Sequence, residues 1–254
     1  MGMFSYGEAF FELLSDDALR SGRVIVSLLR RHLDIHSVLD VGCGQGGWLR
    51  VWQTEGVDDV FGIDGPYVNR ERLLISKEKF LGGDLSQRID LNREFDLVES
   101  LEVAEHIDIS HADEFVDTIT RHGKMVMFSA AIPGQGGTNH INEQPFEFWR
   151  ERFVNRGFRQ FDFIRPQILT IHAVEPWYRY GTFLYVHESL VDGLPAEVRA
   201  TGIDRDAPIP VLAPIIYRLR CRMLSMLDPR VMTWIAAVKR RSLLAKRRVF
   251  PKVM

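Results

Sequence analysis

Ten residues, Val38-Leu-Asp-Val-Gly-Cys-Gly-Gln-Gly-Gly47, constrain this chain more than any other stretch. Val38, Leu39 and Val41 read as a buried strand, and Gly42, Gly44 and Gly46 follow it at once. A helical pattern, Trp48 to Thr54, comes next. A strand that runs through glycines into a helix lets a nucleotide-like ligand lie against bare backbone at a helix N-terminus. Asp64 closes the next apolar run, twenty positions after Gly44. A carboxylate there can accept both hydroxyls of a ribose.

The glycines alone leave the ligand open, because Gly42, Gly44 and Gly47 also satisfy the G-x-G-x-x-G spacing of nicotinamide-binding folds. Asp40 argues against that reading. It lies inside the strand, where a dinucleotide fold keeps an apolar residue, and a carboxylate there can hold the ammonium of an amino-acid ligand. A second acidic signal, Gly82-Gly83-Asp84-Leu85, ends the third apolar run, where it can meet an adenine amino group. The D-x-G-x-G-x-G pattern resembles the class I S-adenosylmethionine (SAM) methyltransferases. The resemblance implies an α/β, Rossmann-like doubly wound sheet of about seven strands, the last antiparallel, with helices on both faces. It also implies a SAM site drawn from Asp40, Gly42, Gly44, Gly46, Asp64, Asp84, Leu85 and Leu101.

Periodicity agrees with an α/β chain. Residues 8–34 carry helical spacing and read as a helical lid or flank. Strand-like runs follow at Ser37–Val41, Asp59–Ile63, Lys79–Gly82, Phe95–Ser100 and Lys124–Ala131. Ser110 is expected to cap a helix, with Asp113 as its capping-box partner and Ala112, Phe115, Val116 and Ile119 as the buried face. Pro145 opens another helix, Pro145–Arg156, stopped by Gly157. Two more strands are expected at Phe158–Ile164 and Thr182–Val186. Alternating strands and helices give a parallel sheet with its ligand at the carboxyl ends of the strands. Residues 1–190 thus form one domain. Residues 191–214, rich in proline, read as a linker, and residues 215–254 as a basic helical extension broken at Asp228-Pro229.

The middle of the chain narrows the resemblance. Phe95-Asp-Leu-Val-Glu-Ser-Leu-Glu-Val-Ala-Glu-His106 forms the fourth strand and its exit loop. The fifth strand leads into a long loop, Phe128 to Pro145. With Phe148-Trp149, Ile164-Arg-Pro166 and Glu175-Pro-Trp-Tyr178, these segments resemble SAM methyltransferases of bacterial gene clusters for surface polysaccharides and other glycosylated products. The likeness spans about Phe4 to Val186. It departs after Trp177-Tyr178, where the subgroup continues Gln-Asn and this chain has Arg179-Tyr180-Gly181, so acceptor identity is not carried over.

Glu102-x-x-Glu105-His106 poses the chemical question. A similar E-x-x-E-H with a further histidine holds a divalent metal in ubiquinone-pathway and small-RNA methyltransferases. Here His140 (or His111) would complete a magnesium site with Glu102, Glu105 and His106. The metal-free alternative is favoured, since four ligands do not follow from this spacing. His140 is then the first choice of catalytic base and His106 the second, neutral imidazole being the natural base near pH 7. Asn139, Asn142, Glu143 and Gln144 either bond sugar hydroxyls or satisfy their own loop. Trp149, Trp177 and Tyr178 either stack on a sugar or pack the core.

Composition bounds the partners. The 254-residue chain carries a net charge of −2, with eleven Lys and Arg against one acid from Ile215 onward. That is +10 on the extension and −12 on the rest. The extension mixes Ile215, Leu219, Leu224, Val231, Trp234 and Ile235 with its basic residues over Val211–Met226 and Pro229–Lys246. Such a stretch suits an anionic membrane surface or a partner helix. Two cysteines make no disulfide framework, and the N-terminal segment lacks a signal-peptide pattern, so a cytoplasmic enzyme is expected, peripheral at most at the inner membrane face. The leading expectation is methyl transfer to a hydroxyl of a sugar or glycosylated small molecule. RNA methylation and SAM binding without turnover are the alternatives. No Asn-Pro-Pro-Tyr motif or lysine-rich tetrad supports a nucleic-acid substrate.

Overall fold

The computed structural model describes residues 8–228 together with residues 231, 232 and 238; for residues 8–16 it gives the course of the backbone alone. The chain begins with α1 (Glu8–His32), β1 (Ser37–Val41), α2 (Gly47–Thr54), β2 (Asp59–Asp64), β3 (Phe80–Gly82) and β4 (Leu97–Leu101). It continues through α3 (Ala112–Arg121), β5 (Met125–Ser129), α4 (Phe146–Val154), β6 (Phe158–Phe161) and α5 (Ile164–Ile168). The last elements are α6 (Pro176–Gly181), β7 (Phe183–His187), α7 (Glu188–Val191), α8 (Ala196–Arg199), β8 (Gly202–Ile203) and α9 (Ile215–Leu224).

Among the described residues the strands form one sheet in the order β3-β2-β1-β4-β5-β7-β6-β8. β1 to β5 pair parallel, and β7 enters antiparallel between β5 and β6. The order reverses between β1 and β4, which are neighbours with a crossover to either side. In such sheets a ligand lies beyond the strand ends at that switch point.

Two apolar layers cover the sheet. On one face Ile25, Leu28 and Leu29 of α1 share a core with Leu49 and Trp52 of α2. Residues 17–32 therefore lie on α2 as a flank; the side chains of Phe10, Leu13 and Leu14 lie outside the described residues. On the other face Phe115, Val116 and Ile119 of α3 meet Phe128, Trp149 and Phe153. Trp149, 1% exposed, belongs to this core rather than to a sugar-stacking wall. Truncating a side chain of that size typically costs about 3–5 kcal/mol.

Three expectations need correction. The α3 helix starts at Ala112, and Ser110 lies in a preceding short turn. There the Asp108 carboxylate accepts the Ser110 amide and hydroxyl and caps that turn, while α3 starts after His111 with no side-chain cap, so no Ser110–Asp113 box forms. The sixth strand stops at Phe161, three residues early. Arg165 folds back in a bidentate pair with Asp162, both contacts 2.7 Å, and turns the chain into α5. The proline-rich segment also departs from a linker. It adds β8 to β6 as an eighth strand and buries Val198 and Ile209. Arg150 donates to the Ala207 carbonyl at 2.6 Å and Arg165 to the Pro210 carbonyl at 3.1 Å. Prolines mark turns, but buried guanidinium groups need acceptors, and this segment supplies them.

Candidate active site

At the end of β1 the glycine loop turns back over β2, with the Gly42 and Cys43 amides donating to the Ile63 carbonyl. Gly42 has φ +94° and no room for a Cβ, which would collide with Val103. Gly44, at φ +55°, is different, because a Cβ there would meet nothing within 4 Å. Bare backbone facing open space is the surface a ligand needs for close approach.

Asp64 ties this loop down. Its carboxylate accepts the Gly44 amide at 2.6 Å, the Gly65 amide at 2.6 Å and the Tyr67 hydroxyl at 2.7 Å. Burial raises its pKa, and those three donors pull the other way. Asp84 is exposed at the end of β3, with one oxygen already taken by the Ser86 amide and hydroxyl. Leu85 and Leu101 are buried beside it and at the end of β4.

Asp40 is buried on β1, and its register partner on β4 is Glu99. Glu99 is the residue that sequence reading missed. Its Oε2 accepts the indole N–H of Trp52 at 2.9 Å, while Oε1 is buried without a partner. Burial pushes Glu99 up to about 8. Asp40 is driven well above the ordinary carboxylate range by burial and then by Glu99 and Asp64. Two neighbouring carboxyls in so dry a place cannot both ionise, so the pair retains a proton. The one available signal was an acidic residue at the centre of the short fourth strand, Leu97-Val-Glu-Ser-Leu101.

The exit loops of β4 and β5 meet beyond the strand ends. The Glu105 carbonyl accepts the amides of both Ile141 and Asn142, which stitches the loops together. His106 and His140 meet edge to face, ring centroids 5.0 Å apart. The Asn139 carbonyl faces His106 Nδ1 at 3.1 Å, and Asn139 takes a left-handed conformation to put it there. Burial lowers the His106 pKa, favouring neutral imidazole. His140 Nδ1 lies 2.8 Å from Glu143 Oε1. Burial raises the Glu143 pKa, but His140 and the amides of Gly136 and Gly134 outweigh it and hold it low. Glu143 is thus a carboxylate that fixes an imidazole rather than a free sugar contact.

The four residues considered for a metal divide. Ligand atoms of Glu105, His106 and His140 fall within 4.8 Å of one another, while His111 is not in the group. Both Glu105 oxygens are buried without a hydrogen-bond partner. Glu102 is instead committed to Ser129 and Gln135. Burial and then Glu105 push its carboxyl well up.

A Rossmann-like sheet with a strand–glycine–helix cradle at its switch point is the framework of a nucleoside-binding protein, and two imidazoles lie over the next strand ends. Residues 10–165 match the family described as a methyltransferase domain, and the chain belongs to that family. Its methyl donor is SAM. No curated protein matches the chain. Among solved structures, DesVI of Streptomyces venezuelae aligns with a TM-score of 0.55 at 16% identity, covering 72% of this chain and 100% of its own. The sugar N-methyltransferase KedS8 of Streptoalloteichus sp ATCC 53650 gives 0.53 and 17%, covering 74% and 98%. A bacterial Hen1 methyltransferase domain gives 0.51 and 18%, covering 67% and 99%. At these identities the likeness is one of fold.

Proposed function

We propose that this protein transfers the methyl group of SAM to a hydroxyl of a sugar or glycosylated small molecule, with His140 as the base. The carrying observation is the Glu143–His140 pair above the strand ends, 2.8 Å apart. KedS8, named a sugar N-methyltransferase, supports a sugar as acceptor and is neutral on the choice of a hydroxyl. The open backbone at Gly44 and the Asp64 carboxylate fit the donor's nucleoside, and Asp40, which shares a proton with Glu99, is the group that would meet its ammonium. SAM supplies, when bound, a methyl group on positively charged sulfur. Positioning then accounts for most of the acceleration, since the two groups need only be held in line. Glu143 holds His140 through Nδ1, which leaves Nε2, 3.9 Å from Glu105 Oε1, as the nitrogen that would take the acceptor's proton. Tyr67, more than half exposed, is the donor on Asp64 able to swing away and admit a ribose hydroxyl.

One observation favours a second reading. The unpartnered Glu105 carboxylate beside two imidazoles is a donor set for a divalent cation, which would polarise the acceptor hydroxyl. The test is transfer of labelled methyl from SAM to nucleotide sugars and glycosylated acceptors, with and without chelator. Label in a sugar oxygen that persists under chelator is expected. Loss under chelator transfers the role to a cation at Glu105, His106 and His140. Label found only in RNA overturns the acceptor class.

A further inference from the structure

The helix that follows the proline-rich segment has two faces. Its inner face is Tyr217, Cys221 and Leu224, spaced three and four residues apart. Cys221 is buried, its backbone pressed on Gly134 of the fifth-strand loop, and Arg220 donates to the Gln135 carbonyl at 3.3 Å. Tyr217 meets Tyr180 edge to face at 5.0 Å. Tyr180 falls in the Arg179-Tyr180-Gly181 stretch where the chain leaves its subgroup's pattern. The helix therefore roofs the loop that carries His140 and Glu143.

The outer face is apolar. Ile215, Ile216, Leu219, Met223 and Met226 are between 54% and 78% exposed. At 100° per residue they form one stripe, with Arg218 and Arg222 along one border and Arg220 along the other. Arg220 is held by the Gln135 carbonyl, and the Arg218 and Arg222 guanidinium groups are placed to reach sideways to charged headgroups while the stripe enters the acyl boundary. Charge selects the same occupant. Arg218, Arg220 and Arg222 are the charged residues of α9, and residues 215–254 together carry +10 against −12 for the rest, so an anionic surface attracts this end of the chain and repels the body. No helix among the described residues is long and apolar enough to cross a membrane.

We infer that the outer stripe of α9 is a docking surface for an anionic lipid bilayer, which holds the acceptor entrance against the membrane. The entrance rests on the function proposed above; the docking surface does not. Pro229–Lys246, with Trp234 and Ile235, lies outside the described residues apart from Val231, Met232 and Val238, and the inference does not use its structure.

The test is flotation of the full chain with vesicles of phosphatidylcholine alone and of phosphatidylcholine with three-tenths phosphatidylglycerol, alongside calorimetry with SAM. The full chain should float with the anionic vesicles and stay behind with the neutral ones. Leu219→Ser with Met223→Ser, and separately Arg218→Ser with Arg222→Ser, should each weaken anionic-vesicle binding about tenfold or more and leave SAM affinity unchanged. Absence of anionic-vesicle binding by the full chain, or equal binding by the apolar double variant, overturns the inference. So does a doubled mass in light scattering that the apolar variant abolishes, which would assign the stripe to a second copy. Failure of SAM binding in the unaltered chain would sink the donor assignment alone.

Discussion

The two halves of the strand-end surface are built on different terms. In the loops leaving β1 and β2 most polar groups answer one another: Asp64 takes three donors and the glycine loop closes on the Ile63 carbonyl, with the Trp48 indole nitrogen and Glu99 Oε1 the buried exceptions nearby. That half is organised by backbone before a ligand arrives. Beyond β4 and β5, much is left open. Both Glu105 oxygens and the side-chain Nδ2 of Asn142 are buried without hydrogen-bond partners, and Glu102 and Asn139 sit in left-handed conformations. Buried polar groups without partners are costly, and sites tolerate them where a ligand or ion completes the network. On the function proposed above, the first half would carry the donor, and the second holds unmet bonding capacity where the acceptor would lie.

The most severe break of this contrast is His140→Ala. It should cut turnover roughly 10²- to 10⁴-fold while calorimetry shows SAM binding intact. Full activity in both His140→Ala and His106→Ala would remove the base from the acceptor half. Next comes Asp64→Ala, which releases the Gly44 amide and a ribose contact. Bonds to a charged acceptor contribute about 1.5–3 kcal/mol, so SAM affinity should fall roughly ten- to a hundredfold. Unchanged affinity, or tighter binding of a nicotinamide nucleotide, would contradict the donor site.

A pH experiment sharpens the comparison from within the sheet. Glu99 has its pKa raised in the folded chain to about 8, against 4.5 when unfolded. The folded state then holds a proton that the unfolded state releases, so stability is full below about 4.5 and declines as pH rises toward 8. Glu99→Gln keeps an acceptor for the Trp52 indole and has no proton to lose. Its melting temperature should fall less between pH 5 and pH 8 than that of the parent chain. Parallel melting curves would show that no proton is held there. The smallest effect is expected from Tyr67→Phe, which removes one donor to Asp64 and should shift SAM affinity by less than tenfold.

Much of this was legible from residues in order. Val38–Gly47 is local chemistry: a buried strand, a turn only glycine tolerates at Gly42, and a helix start. Periodicity likewise located α1, α3 and the parallel strands, because burial of one face writes itself into spacing. His140 and His106 could be nominated as a pair, since both follow adjacent strands.

Other features had no such trace, because they depend on partners far apart in the chain. Glu99 became a site residue through Asp40, which the sheet register sets beside it across 59 positions of sequence. The segment read as a linker is held by Arg150 and Arg165, whose need for acceptors is visible only once they are buried. The division of Glu102 from Glu105 was decided by Ser129 and Gln135 arriving from the fifth strand and its loop. Local backbone preference and burial pattern were the sequence's own; which polar group meets which is settled by distance in space, and only the tertiary structure decides it.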